Sequence, residues 1–122
     1  MKYLSTRDNS LKKSFNEILY QGLSKDGGLF LPVEWPTINI DNLENKSYED
    51  VALEIIFPFV KENFTKSDLQ KILNESYANF RHEKKAPIKE LQTNKYILEL
   101  IYGPTFAFKD YALQFLGKLF SN

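Results

Sequence analysis

The sequence predicts a mixed α+β fold, in which a small sheet is covered by helices and the chain ends in a strand–turn–helix unit. Apolar residues recur at intervals of three and four in several segments, which is the period of an amphipathic helix. Shorter apolar runs bounded by turn residues are typical of strands. The 122 residues, 43% of them hydrophobic, suffice for one modest core.

Composition narrows the classes of function. Sixteen basic residues balance sixteen acidic ones, so charge gives no indication of a nucleic-acid or membrane partner. The chain has no cysteine, which excludes disulfides and thiolate metal sites. No stretch approaches the ~20 apolar residues of a membrane span, and the first ten residues lack the apolar run of a signal peptide. These observations predict a cytoplasmic protein without a metal site.

The first third of the chain predicts two strands around a helix. Residues 2–6 form a possible strand, and the helix is expected at 14–22 because Ser14 and Glu17 have the spacing of a capping box. A turn at 26–28 precedes a short apolar run, 29–31, that we interpret as a buried strand. The apolar stripe of the helix is Leu11, Phe15, Ile18, Leu19 and Leu23.

Two longer helices and a strand pair follow. The helices are predicted at 47–60, where Pro58 should bend or end the helix, and at 65–80. Residues 81–86 are polar and basic, which indicates a linker or exposed turn. The strand pair is expected at 88–91 and 96–102, with the second strand buried. All the predicted strands are expected to join in one small sheet.

The chemistry of the chain centres on Lys109. Residues 103–110 read Gly-Pro-Thr-Phe-Ala-Phe-Lys-Asp, between an apolar run and a helical stripe. Glycine and proline together favour a rigid turn. Phe106, Phe108 and Tyr111 are expected to keep water from the lysine amine. Aromatic neighbours and the positive end of a helix both disfavour an ammonium ion, and the neutral amine is the form that attacks an aldehyde to give a Schiff base. The alternative is an exposed lysine that opens an ordinary helix.

The same segment, followed by Ala-Leu-Gln at 112–114, closely resembles the cofactor-lysine segment of threonine synthases. These are pyridoxal-phosphate enzymes of the tryptophan-synthase-β-like class, also called fold type II. Residues 5–7 (Ser-Thr-Arg), 21–23 (Gln-Gly-Leu) and 26–32 (Asp-Gly-Gly-Leu-Phe-Leu-Pro) resemble the amino terminus of the same family. The resemblance implies that Lys109 carries pyridoxal phosphate. It also implies conversion of O-phosphohomoserine and water to threonine and phosphate.

Four other residues are candidates for a place near the substrate or the lysine. Thr105, Phe108 and Asp110 flank Lys109 in the motif. Thr105 could instead cap the helix or hydrogen-bond within its own turn. Arg7 follows a strand end that the resemblance puts near the active-site cleft, where it could contact an anion. Solvent exposure or a structural ion pair is the alternative for Arg7.

The family pattern continues beyond its lysine into a glycine-rich phosphate loop and a large second domain. The resemblance therefore predicts an amino-terminal domain at 1–92 and the start of the pyridoxal-phosphate-binding domain at 93–122. The chain would be a truncated fragment or a gene relic, with no bound cofactor and no activity alone. Its partners would be the remaining domains of the same chain, and an exposed core face would favour self-association.

Two other functions remain open at this stage. A related phospho-lyase would keep the lysine but release a keto acid. A non-catalytic interaction module would fold and bind a partner without any chemistry. The residues that would distinguish these outcomes are not identified by the sequence.

Overall fold

The computed structural model describes residues 1–10 and 12–121, so Leu11 of the first predicted stripe lies outside the described residues. The mixed α+β class is confirmed. A short 3₁₀ helix, Ile40–Leu43, precedes the second α-helix. In chain order the elements are β1 (Tyr3–Ser5), α1 (Phe15–Gln21), β2 (Phe30–Pro32), α2 (Tyr48–Val60), α3 (Lys66–Tyr77), β3 (Ile88–Gln92), β4 (Lys95–Leu98) and α4 (Asp110–Ser121).

Helices α2, α3 and α4 form the core. Helix α3 packs against both of the others, and its buried side chains are apolar apart from Ser76. Burial of each large apolar side chain contributes about 1.5–3 kcal/mol. Edge-on ring contacts join the helices, with centroids 4.9 Å apart for Tyr48 and Tyr77 and for Phe80 and Tyr111. The buried cluster consists of Val60, Leu69, Leu73, Tyr77 and Phe80.

The helix starts agree with the capping residues in the sequence. Ser14, Ser47 and Thr65 each accept a hydrogen bond from the backbone N–H three residues later. Ser14 and Glu17 form the full capping box that their spacing predicted. Pro58 lies inside α2, which ends two residues later at Val60. The predicted helix end is therefore confirmed.

The strands form two separate antiparallel pairs, so the prediction of one sheet is wrong. Strand β1 pairs with β2, with Tyr3 opposite Pro32. Strand β3 pairs with β4, with Ile88 opposite Leu98, and a register irregularity lies between Glu90 and Gln92. Backbone hydrogen bonds between strands are formed only within each pair, so the two pairs are separate sheets.

Burial of the strands was also predicted wrongly. Every residue of β3 and β4 is exposed, and β4 ends at Leu98, so residues 99–102 are not strand. Leu29 and Leu31 are exposed as well. An apolar run indicates that a segment is suited to burial, but it does not identify the part of the fold that would bury it. The main packing contacts of β3 and β4 are with each other, and the apolar residues of both strands are exposed. Among residues 1–10 and 12–121, no helix combines the length and apolarity that crossing a bilayer requires.

Candidate functional site

Lys109 lies immediately before α4. Its carbonyl oxygen accepts the N–H groups of Ala112 and Leu113 at 3.1 and 2.9 Å. The residue therefore has the N-cap position, and its side chain leaves the chain at the positive end of the helix dipole. The predicted helix start is confirmed.

The predicted aromatic shield around Lys109 is wrong in this structure. Lys109 is exposed, and the exposed fractions of Phe106 and Phe108 are 63% and 65%. The ring of Phe106 lies over the guanidinium of Arg81, 4.0 Å from its central carbon, rather than over the lysine. Tyr111 is directed towards the core, because its ring packs against Phe80, and its hydroxyl donates to the Lys85 carbonyl at 2.7 Å.

Asp110 organises the turn before the lysine. Its carboxylate accepts the Thr105 N–H at 2.8 Å and the Thr105 hydroxyl at 2.9 Å, and only 3% of the residue is exposed. The interpretation that Thr105 hydrogen-bonds within its own turn is thereby confirmed. A Cβ atom at residue 103 would collide with the Asp110 side chain, which explains the glycine there.

The Asp110 contacts also set its ionisation. Burial is the largest single influence and would raise the pKa of this carboxyl, but the hydrogen bonds from Thr105, with smaller contributions from Gln114 and Ala107, together hold the pKa below its usual value. Asp110 is therefore a carboxylate at neutral pH. It holds the turn from inside by charge-assisted hydrogen bonds.

Arg81 holds the same turn from the opposite direction. Its backbone N–H donates to the Tyr102 carbonyl at 2.9 Å. Its guanidinium donates to the carbonyls of Gly103 at 2.8 Å and Pro104 at 3.3 Å. Sequence reasoning missed this residue and assigned it to a linker. The only local signal was its position directly after Phe80, the last residue of the helix predicted at 65–80.

Arg7 lies at a different place in the fold. Its guanidinium donates to the Asp26 backbone carbonyl at 3.0 Å, and the side chain is exposed. Of the two alternatives given for Arg7, solvent exposure is confirmed. The described partner of its guanidinium is a backbone carbonyl, so the arginine does not form the structural ion pair. The Asp26 carboxylate instead accepts the Ser5 hydroxyl and the Gly28 N–H. No described contact joins Arg7 to residues 103–110.

The residues present fit the attachment of an aldehyde cofactor. Within the described residues, the exposed Lys109 side chain has no hydrogen-bond or ion-pair partner, so a cofactor can reach it. Binding of the cofactor also requires residues that hold its phosphate group. Gly27 and Gly28 face Arg7 and Ser5 at close range and build the turn after α1, not a glycine-rich loop that opens a helix.

Comparison with known proteins identifies the family. The family model described as "Threonine synthase N terminus" matches residues 2–77. Threonine synthase of Schizosaccharomyces pombe is 43% identical over 124 residues, covering 98% of this chain and 24% of the relative. The Pseudomonas aeruginosa threonine synthase is 38% identical over 125 residues, covering 100% of this chain and 27% of the relative.

A solved structure gives the same answer. The crystal structure of PLP-bound threonine synthase from Brucella melitensis superimposes with a TM-score of 0.93 at 40% identity, covering 98% of this chain and 26% of that one. The chain thus spans about a quarter of the length of the relatives it matches. This chain belongs to the threonine synthase family and corresponds to the amino-terminal part of its members.

Proposed function

We propose that this chain is the amino-terminal part of a pyridoxal-phosphate-dependent threonine synthase, and that Lys109 is its cofactor lysine. The observation that carries the proposal is an available amine at the N-cap of α4, in a turn fixed by Asp110 and Arg81. The proposed reaction converts O-phosphohomoserine and water to threonine and phosphate. The family supports this assignment, since its relatives are threonine synthases.

The lysine has two roles in the proposed reaction. Pyridoxal phosphate, when bound, supplies an electron sink for negative charge on the substrate carbons. The Lys109 amine first holds the cofactor and, once released, moves protons at the α and β carbons of the substrate. Phosphate leaves from the γ carbon, and water adds at the β carbon. Asp110 and Thr105 support this chemistry by fixing the turn that carries the amine.

Phe108 and Arg7 have subsidiary parts in the proposal. Phe108 precedes the lysine, and its exposed ring is available to exclude water once further chain covers it. Arg7 is a candidate contact for an anionic group, since its exposed guanidinium retains donors beyond the one that Asp26 accepts. The residues that bind the substrate phosphate are proposed to lie in the rest of the enzyme.

The proposal extends to partners and location. The remaining catalytic domains of the same protein are the proposed partners, with 1–92 as the amino-terminal domain and 93–122 as the start of the cofactor domain. The enzyme is proposed to act in the cytoplasm, which the absence of cysteine from the 122 residues supports.

A product assay tests the proposal. The full-length protein that contains this chain is incubated with O-phosphohomoserine, and threonine and phosphate are measured together. Equal amounts of both are expected. Lys109→Ala should reduce turnover by about 10²–10⁴-fold or more. Phosphate accompanied by a keto acid would instead identify a phospho-lyase. Absence of turnover, whether or not the protein has bound pyridoxal phosphate, would contradict the proposal.

A further inference from the structure

We propose that Arg81 is a positioning residue for Lys109, and that its guanidinium sets the shape of the turn that presents the amine. This inference rests on the proposed function. It adds a residue that lies 28 positions before the lysine in the sequence and belongs to another part of the fold. Arg81 does not touch the reacting atoms in this account, and it acts through the backbone of residues 102–106.

Arg81 contacts the first half of the turn at several points. Two carbonyls in succession, those of Gly103 and Pro104, accept from one guanidinium. The backbone N–H of Arg81 adds a bond to Tyr102, and the Phe106 ring stacks on the guanidinium. A single side chain thus contacts three of the six residues that precede Lys109, and its backbone contacts the residue before them.

Phe106 shows why the turn requires such support. Its φ is 62°, in the left-handed region that residues with a Cβ avoid. A non-glycine residue there costs on the order of 1 kcal/mol or more, and it persists only when its surroundings fix it. The stacked guanidinium and the N–H of Phe106, which donates to the Gly103 carbonyl at 3.2 Å, provide that constraint.

Arg81 also connects the turn to a rigid support. It follows Phe80, which is buried in the core cluster with Leu73 and Tyr77 of α3. Asp110 fixes the turn from within the loop and α4, whereas Arg81 fixes it to α3. Helix α4 is already held on α3 by packing and by the Tyr77 hydroxyl, so what the guanidinium adds is a link between the turn itself and the end of α3.

The contacts of Arg81 depend on the shape of its guanidinium as well as on its positive charge. A guanidinium is planar, offers two parallel donors and stacks on a ring, whereas an ammonium is a compact charge that does neither equally well. Arg81→Lys should therefore fail to replace Arg81. Lys89, exposed on β3, provides the matched control, because Lys89→Gln removes a positive charge from an exposed strand.

The test uses the full-length protein as wild type, Arg81→Gln, Arg81→Lys and Lys89→Gln. Each is mixed with pyridoxal phosphate well below its Tm and reduced with borohydride, and the label on Lys109 is quantified by peptide mapping. Hydrogen exchange at the Thr105 and Phe106 amides is measured without cofactor. We expect Arg81→Gln to lower labelling of Lys109 about tenfold or more, since small displacements of a reactive group have large effects. Exchange at both amides should accelerate.

Arg81→Lys should resemble Arg81→Gln, and Lys89→Gln should resemble the wild type. Wild-type labelling in Arg81→Gln, or full recovery in Arg81→Lys, would overturn the positioning role while leaving the proposed function intact. The positioning role would also be overturned if labelling in Arg81→Gln fell only in proportion to the amount of folded protein while hydrogen exchange in the folded fraction stayed unchanged. Labelling of a different lysine in the wild type would overturn both proposals.

Discussion

At the scale of single residues, the turn before α4 is defined by one carboxylate and one guanidinium that approach it from different directions. Asp110 satisfies the N–H and hydroxyl of Thr105, while Arg81 satisfies the carbonyls of Gly103 and Pro104. Together they supply both the donors and the acceptors that an irregular backbone otherwise leaves to water. The turn is thereby fixed without regular secondary structure.

Asp110→Asn should destabilise the chain at neutral pH, because a carboxamide loses the charge that strengthens both bonds from Thr105. The folded carboxyl has a lowered pKa, so its stabilisation is present above the unfolded pKa near ~3.9 and is lost as the pH falls through the lower folded value. The difference in free energy of unfolding between wild type and variant should therefore shrink below about pH 4. Urea unfolding at several pH values measures it.

The control is Asp41→Asn, in which an exposed carboxylate of the 3₁₀ helix is changed in the same way. It should leave the stability close to that of the wild type at all pH values. A difference between wild type and Asp110→Asn that stays constant from pH 7 to pH 2 would contradict the assigned role of the carboxylate.

At the scale of elements, α4 is attached to α3 by a buried phenol. The Tyr77 hydroxyl donates to the Tyr111 carbonyl at 2.8 Å, and the Tyr77 ring lies edge-on to Tyr48 and Phe80. Burial, with a smaller contribution from Tyr48, raises the pKa of Tyr77. The phenol therefore stays protonated and continues to donate over the whole neutral range.

Tyr77→Phe should cost about 1–2 kcal/mol at pH 7, because it removes one hydrogen bond and leaves a carbonyl without its donor. The raised folded pKa means that the wild-type contribution is complete below the unfolded pKa near ~10 and is lost as the pH rises towards the folded value. The cost of the substitution should thus decrease above about pH 10. Denaturant unfolding from pH 7 to 11 gives the measurement, with the exposed Tyr96→Phe as control. An increasing cost at high pH would disagree with this account.

The cap of α3 provides a second test at this scale. The Thr65 hydroxyl accepts the Asp68 N–H at 3.1 Å and donates to the Asp68 carboxylate. Thr65→Ala should lower the free energy of unfolding by about 1 kcal/mol. Lys71→Ala, at an exposed position further along α3, should have a smaller effect. Equal losses in the two variants, measured by thermal or urea unfolding, would argue against the cap.

The elements also show which features the sequence could predict. Periodicity and capping residues located α1, α2 and α3 to within a few residues, because both signals are local. The exposure of β4 could not be predicted, since covering a strand depends on other parts of the fold. Arg81 was missed for a similar reason. Its guanidinium meets carbonyls 22 and 23 residues later in the chain, and no local pattern encodes that contact.

At the scale of the whole molecule, the apolar side chains between the helices are buried, whereas those of the β3–β4 hairpin are exposed. Large apolar residues are exposed on the hairpin and the segments that follow it, among them Ile88, Leu98, Ile101, Phe106 and Phe108. Exposed apolar residues at this density are typical of a surface that another part of a protein covers. In the proposed enzyme the remaining domains would cover it.

The isolated chain of 122 residues should therefore self-associate. Light scattering with size exclusion should give an apparent mass that rises with concentration. Ile88→Lys combined with Ile101→Lys should shift the distribution towards monomer, because burial of two charges at a contact is costly. Ile40→Lys, at an exposed position on the 3₁₀ helix, is the control and should not. A monomer at all concentrations would contradict the prediction.

The isolated chain should also lack threonine synthase activity. Among the described glycines, Gly27, Gly28 and Gly103 lie in turns against Arg7, Ser5 and Asp110, Gly22 ends α1 and Gly117 lies within α4, so these glycines do not form a phosphate-binding loop. Pyridoxal phosphate should then react weakly with several exposed lysines instead of one. Threonine formation from O-phosphohomoserine by the purified chain would disprove this prediction.

The most direct test of the account is the identity of the lysine that holds the cofactor in the full-length protein. Borohydride reduction followed by peptide mapping should place pyridoxal phosphate on Lys109. Lys109→Ala should abolish the cofactor absorbance and nearly all turnover while Tm changes little, since the side chain is exposed. Lys109→Arg should fail as well, because a guanidinium remains protonated and does not form the imine. Reduced cofactor on another lysine, together with an active Lys109→Ala variant, would contradict the account.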